Sequence, residues 1–163
     1  MAAALERVVL WTGRATAWLA LAIVVLMATN VVLRYLFSYG SVWSQELEWH
    51  LLTPLIMFGI AYALLMGEHV RVDVLYAQFS PRRQETVNLV SALLGLAIAL
   101  IFGLLSIHYV QQAYVIGEQS PDPGGLTHRW LLKAFIPAGF ALLALQSIAE
   151  LVKTWQRRRV AAR

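Results

Sequence analysis

Thr86–Gly117 is a run of thirty-two residues without one formally charged side chain. As a helix it would be about 48 Å long. A soluble domain has no interior of that depth in which to hide it, whereas a bilayer core of about 30 Å accepts it if the helix tilts, projects beyond the membrane or breaks. Two further uncharged runs, the nineteen residues Ala15–Leu33 and the seventeen residues Leu51–Gly67, have the length of single crossings. A fourth apolar stretch occupies Trp130–Leu151, with Pro137 in its first third. Composition agrees: 13% of the 163 residues are charged and 60% hydrophobic, against about 25% charged in an ordinary globular domain. The expected fold is therefore all-α and integral to a membrane. It is one four-helix domain over 1–163, with spans at about 15–35, 46–67, 86–117 and 130–151. The run behind Arg14 exceeds the 7–15 apolar residues of a signal peptide, which predicts a retained first helix preceded by a short amphipathic lead-in, Met1–Arg14.

Four crossings put both termini on one side. Ten lysines and arginines fall with the termini and the Glu68–Glu85 connector, and three (Arg34, Arg129, Lys133) fall opposite. The positive-inside rule then places both termini in the cytoplasm. Trp11 and Trp155 sit at the inner interface on that reading, and Trp43, Trp49 and Trp130 at the outer one. The net charge of +4 belongs to span ends and does not point to nucleic acid. The chain has no cysteine, which removes disulfides, thiol catalysis and cysteine metal sites.

The polar residues gather at the span ends. Arg34, Glu46, Glu48 and His50 flank the connector between the first two spans, and ionisable groups near hydrocarbon tend to pair. Arg34 with Glu46 or Glu48 is the expected pair, a clamp on the hairpin more than a proton or ion site. His108 and Gln111 lie within the long third run, without a second histidine at matching depth to hold haem with it. His69 and Asp73 are four apart but lack a third ligand, so no metal site is expected. Small residues recur at every fourth position: Gly59, Ala63 and Gly67 in the second span, and Ser91, Gly95, Ala99 and Gly103 in the third. Such stripes let helix backbones approach closely in lipid. The segment Ser120-Pro121-Asp122-Pro123-Gly124-Gly125 cannot continue a helix and predicts a fixed turn on the outer side. No nucleotide-binding loop or activated nucleophile is recognisable, and no acid lies in the interior of a span, so no enzyme and no catalytic residue are expected.

The order Arg34-Tyr35, Trp43, Glu46-Leu47, Gly59, His69 and Val72-Asp73 resembles the small membrane subunit of tripartite ATP-independent periplasmic (TRAP) transporters, the DctQ type. Ser120–Leu126, Arg129-Trp130, Lys133, Pro137, Gly139-Phe140 and Leu145-Gln146 look like one branch of it. The resemblance runs from about Val8 to Leu151. It implies a multi-pass subunit of the bacterial inner membrane beside a large membrane subunit that carries substrate and sodium. A periplasmic binding protein would deliver an organic acid, the loop suggesting 2-oxo acids or monocarboxylates over C4-dicarboxylates. This chain would be a scaffold without a cofactor of its own, separate from the large subunit, with its basic tail on anionic lipid. Trp43, Asp122, Gly124, Gly125 and Arg129 would face the binding protein. The alternative is a self-sufficient four-helix exporter, but such exporters rely on an acid inside the first helix, and Ala15–Leu33 has none.

Overall fold

The computed structural model describes residues 2–68 and 76–161, with the side chains of 159–161 left aside. Four helices account for nearly all of it: α1 (Ala2–Phe37), α2 (Val42–Met66), α3 (Pro81–Val115) and α4 (Arg129–Ala161). Each is long and apolar enough to cross a membrane. The expected number, order and class of elements are found, and no strand occurs among the described residues.

All four helices are longer than the apolar runs that announce them. α1 holds 36 residues, about 54 Å, because the predicted lead-in is helical and packed. Val9 is fully buried, and it joins Ala61 of α2 and Leu142 of α4 in the core, edged by Phe58, Leu65 and Leu145. Glu6, in that lead-in, pairs with Lys153 of α4. α4 continues ten residues beyond Leu151, and its Arg158 meets Glu85 at 3.8 Å and Thr86 at 3.0 Å. α3 begins at Pro81, whose missing N–H costs nothing in a first turn. Gly67 and Gly117 end α2 and α3 in left-handed conformation (φ 78° and 60°), each closing a paired C-terminal turn: Glu68 N donates to Ala63 O and Glu118 N to Ala113 O, both at 3.0 Å.

α4 is the hub. It packs on α1, α2 and, most extensively, α3, while α3 lies chiefly against α4 and makes no comparable contact with α1 or α2. The close approaches are marked by glycine. The Tyr62 ring lies where a side chain on Gly13 would be, with ring carbons 2.2 Å and 2.4 Å from an added Cβ. On the other side α4 comes so near α2 that a Cβ on Gly139 would stand 2.8 Å from the Met57 carbonyl oxygen.

The α3–α4 seam departs from the small-residue row seen in the sequence. Ala92, Ala99, Ser106 and Ala113 are the buried residues of α3, spaced by seven. Gly95 and Gly103 also face α4, where added Cβ atoms would lie 3.1 Å from Ser147 Oγ and 3.3 Å from Phe140 Cβ. Ser91 is exposed. The reason is angular. Positions four apart turn by about 40° at each step and leave the contact within three steps, whereas positions seven apart drift by only about 20° the other way. The seam is thus a heptad of small residues, and the i+4 row crosses it at Gly95–Gly103. In α2 the expected stripe is not a close packing face among the described residues. A Cβ on Gly59 would meet none of their atoms within 4 Å, Gly67 serves as the helix end, and Ala61 is buried where Ala63 is only half-buried. These placements separate two otherwise similar substitutions. Ala99→Leu should destabilise the chain by about 1–3 kcal/mol through overpacking, and Ser91→Leu by no more than about 0.5 kcal/mol. Thermal unfolding of the purified chain in detergent, followed by helical circular dichroism, measures both.

Candidate functional site

The end of the bundle opposite the chain termini is built around one buried acid. α2 starts from Ser41, whose Oγ accepts from Ser44 N at 3.4 Å. One turn later comes Glu46, only 2% exposed although it is a carboxylate near the end of its helix. Burying such a group demands hydrogen-bond donors, and the 117–128 loop supplies them. Ser120 Oγ donates to Oε1 and Leu126 N to Oε2.

The loop is shaped for this contact. Asp122–Gly125 is a reverse turn closed by Gly125 N donating to Asp122 O at 3.0 Å. Pro123 presets the second position and Gly124, at φ 80°, takes the third, which identifies a type II turn. Ser120 N donates to Leu126 O and Arg129 N to Glu118 O, both at 3.1 Å, so the two arms are laced together. Asp122 N reaches Ser120 Oγ at 3.2 Å. A side chain on Gly125 would collide with Ser120 Oγ at 2.4 Å and with Glu46 Oε2 at 2.8 Å. Pro121, Asp122, Pro123 and Gly124 remain exposed at the tip. Beneath them Lys133 pairs with Glu118 and stands 3.9 Å over the Tyr109 ring, while Tyr114 meets Trp130 edge-on at 5.4 Å. Arg129 lies 6.0 Å over Trp49, and His50 Nδ1 is 2.7 Å from Glu46 O.

The pairing of Arg34 with Glu46 or Glu48 is not formed. Glu46 is taken by the loop, and Glu48 Oε1 accepts from Asn30 Nδ2 at 2.6 Å. Ser44 Oγ donates to Asn30 Oδ1, which completes a second polar knot between α1 and α2. Arg34 makes no ion pair among the described residues and stays exposed on the last turn of α1. Competition decides this outcome at Glu46: the short Ser120 hydroxyl and the Leu126 backbone N–H hold a fixed geometry that a long, mobile guanidinium cannot match. Of the residues expected to face a partner, Trp43, Asp122 and Gly124 are exposed and Arg129 is half-buried on Trp49. Gly125 instead faces inward against Glu46. His108 and Gln111 are exposed on α3. The His69–Asp73 pattern lies outside the described residues, and those described hold no cluster that could bind a metal ion.

Sequence reasoning missed Ser120 and Leu126 as the partners of Glu46. Local spacing cannot reveal contacts between residues 74 and 80 positions apart. The available signal was the mismatch between an acid near hydrocarbon and a loop rich in backbone donors.

Residues 23–157 match the family described as tripartite ATP-independent periplasmic transporters, DctQ component. The C4-dicarboxylate TRAP transporter small permease protein DctQ of Pseudomonas aeruginosa is 30% identical over 118 residues, covering 71% of this chain and 56% of that protein. The chain therefore aligns with little more than half of that relative's length. The ectoine TRAP transporter small permease protein TeaB of Halomonas elongata is 25% identical over 141 residues, 84% of this chain and 72% of that protein.

Proposed function

The chain belongs to the DctQ component family of tripartite ATP-independent periplasmic transporters, a multi-pass protein of the bacterial inner membrane, and on that premise we propose that it is the stationary small subunit of an organic-acid importer. In this reading both termini lie in the cytoplasm, and a large membrane subunit beside it carries the substrate and its coupling sodium ions. A periplasmic binding protein docks on the outer end. The two relatives are named for different cargo, a C4-dicarboxylate and ectoine. That difference supports placing substrate choice in the other components.

The observation that carries this reading is the loop fixed on Glu46. A rigid, preformed protrusion binds at lower entropic cost than a mobile one, which suits a surface that must receive a diffusing protein repeatedly. The described helices offer no acid deep in the apolar zone facing a cavity, as a transport site of their own would need. Glu46 is already committed to the loop.

Affinity purification of the chain from its native membranes, with mass spectrometry of what accompanies it, tests the assembly. A stoichiometric, many-helix partner is the expected result; recovery of this chain alone as a stable homo-oligomer would sink the reading. Charge reversal at the tip tests the docking face. Asp122→Lys should raise the binding-protein concentration needed for half-maximal uptake by about tenfold, the scale of one lost interface contact. Recovery of the assembled membrane subunits should be unchanged. Uptake that responds to the binding protein as before would remove the loop from the docking surface.

A further inference from the structure

Beside the loop, and separate from it, a groove opens between the last turns of α1 and the first turns of α2. Asn30, Arg34, Tyr35, Gln45, Glu48 and Trp49 line it, and no residue of α3, α4 or the loop does. Two features set it apart. Arg34 carries a guanidinium that the described chain leaves without an ion pair. Across the same groove Glu48 is held in place through Asn30, which occupies only Oε1. A cation and an anion thus line one open channel at the end of two membrane helices. Tyr35, 79% exposed, and Trp49, 46% exposed, stand at the depth where aromatic side chains meet headgroups.

Towards the membrane centre the walls become apolar. Met27 and Val31 continue the α1 side in the groove itself, and Leu52 and Ile56 continue the exposed α2 face one and two turns further on. An occupant must therefore be amphiphilic, with a long apolar part aligned along the helices and a head offering both signs of charge. A peptide laid across the end would leave the apolar walls unused. A headgroup with phosphate alone would meet Glu48 unfavourably.

We propose that this groove is a binding site for a phospholipid with a phosphate and a primary ammonium in its head, the ethanolamine class. The phosphate lies on Arg34, whose planar fork suits phosphate oxygens. The ammonium lies towards Glu48, and an acyl chain runs over Val31 and Met27. The site requires only that this end of α1 and α2 lies at a membrane face, whichever leaflet that is, so it stands or falls independently of the transport assembly.

The test is native mass spectrometry of the purified full chain, released from detergent with isotopically distinguishable palmitoyl-oleoyl phosphatidylethanolamine and phosphatidylglycerol in competition. The unaltered chain should retain the ethanolamine lipid in preference by about tenfold, the scale of one charge-assisted contact. Arg34→Gln should weaken retention of both lipids, and Arg34→Lys, which keeps the charge, should weaken it less. Glu48→Gln, whose amide oxygen can still accept from Asn30, should abolish the preference without abolishing retention. Equal retention of the two lipids by the unaltered chain overturns the proposal. So does a preference that survives Glu48→Gln, or an absence of retained phospholipid, which would leave the groove to a neighbouring membrane protein. Should Arg34→Gln fail to fold, the Glu48→Gln comparison decides alone.

Discussion

Replacing Gly139 by leucine is expected to remove the folded chain from detergent extracts altogether. At this crossing a Cβ would lie 2.7 Å from Met57 Cβ, 2.8 Å from Met57 O and 3.0 Å from Met57 C. Two of those three atoms are backbone, so no rotamer change in α2 can relieve the overlap. The helices themselves must separate. Separation opens the place where α2 meets the hub helix, and the tight packing that holds helices together in lipid is lost with distance. Gly139→Ala alone should cost about 1–3 kcal/mol, and the larger side chain more than that. The comparison is Gly59→Leu, where an added Cβ meets nothing among the described residues and should change stability by no more than about 0.5 kcal/mol. Fluorescence-detected size exclusion of tagged variants, read against total membrane expression, measures the difference. A monodisperse Gly139→Leu chain at normal yield would contradict the crossing described here.

Gly125→Val should have the second-largest effect, and on function instead of assembly. Its backbone needs no special conformation, so the substitution acts through space alone. Ser120 Oγ and Glu46 Oε2 occupy the volume a side chain would take. The turn must lift, and Ser120 Oγ and Leu126 N then lose their common acceptor. Because the loop lies at the aqueous end, water can take over both donors and the four helices should persist. The expected result is a chain that still co-purifies with its membrane partner, a loop cut by added protease at least about tenfold faster because opening no longer costs the lost contacts, and uptake weakened at limiting binding protein. Ser120→Ala removes one donor without the collision and should fall between the two. Protease resistance unchanged in Gly125→Val would show that Glu46 does not hold the loop.

The number and class of the helices were legible because charge exclusion over nineteen, seventeen and thirty-two residues is a one-dimensional signal with one physical solution. The outer turn was legible for a similar reason, since Pro121, Pro123, Gly124 and Gly125 restrict the backbone locally. The helix ends were not. The charges of the first fourteen residues made them read as a short amphipathic lead-in to the span, and only the fold brings Lys153 to Glu6. At the site the residue types were visible and the pairings were not: Arg34 is nearer to Glu46 in sequence than Ser120 is, but local proximity does not rank donors. Gly13 and Gly139 carry the closest helix-to-helix approaches and stand outside the i+4 rows that drew attention. A glycine in an apolar run does not declare whether its missing side chain makes room for another helix, as at Gly139, or for nothing among the described residues, as at Gly59.

The attachment of α3 has a mechanical consequence. A helix about 52 Å long held by one neighbour invites the picture of a flap. Its fastenings forbid that. Near one end Arg158 of α4 reaches Glu85 and Thr86, near the other Lys133 stands over Tyr109 and Trp130 braces Tyr114, and the small-residue heptad runs between. Swinging either end would shear the whole seam at once. The pair α3–α4 should therefore behave as a plank clamped at both ends, stiff in its own plane, with one broad greasy edge turned outward along its full length. In the proposed assembly such a pair would serve as a rail, a stiff edge that transmits no motion and against which displacement can be measured.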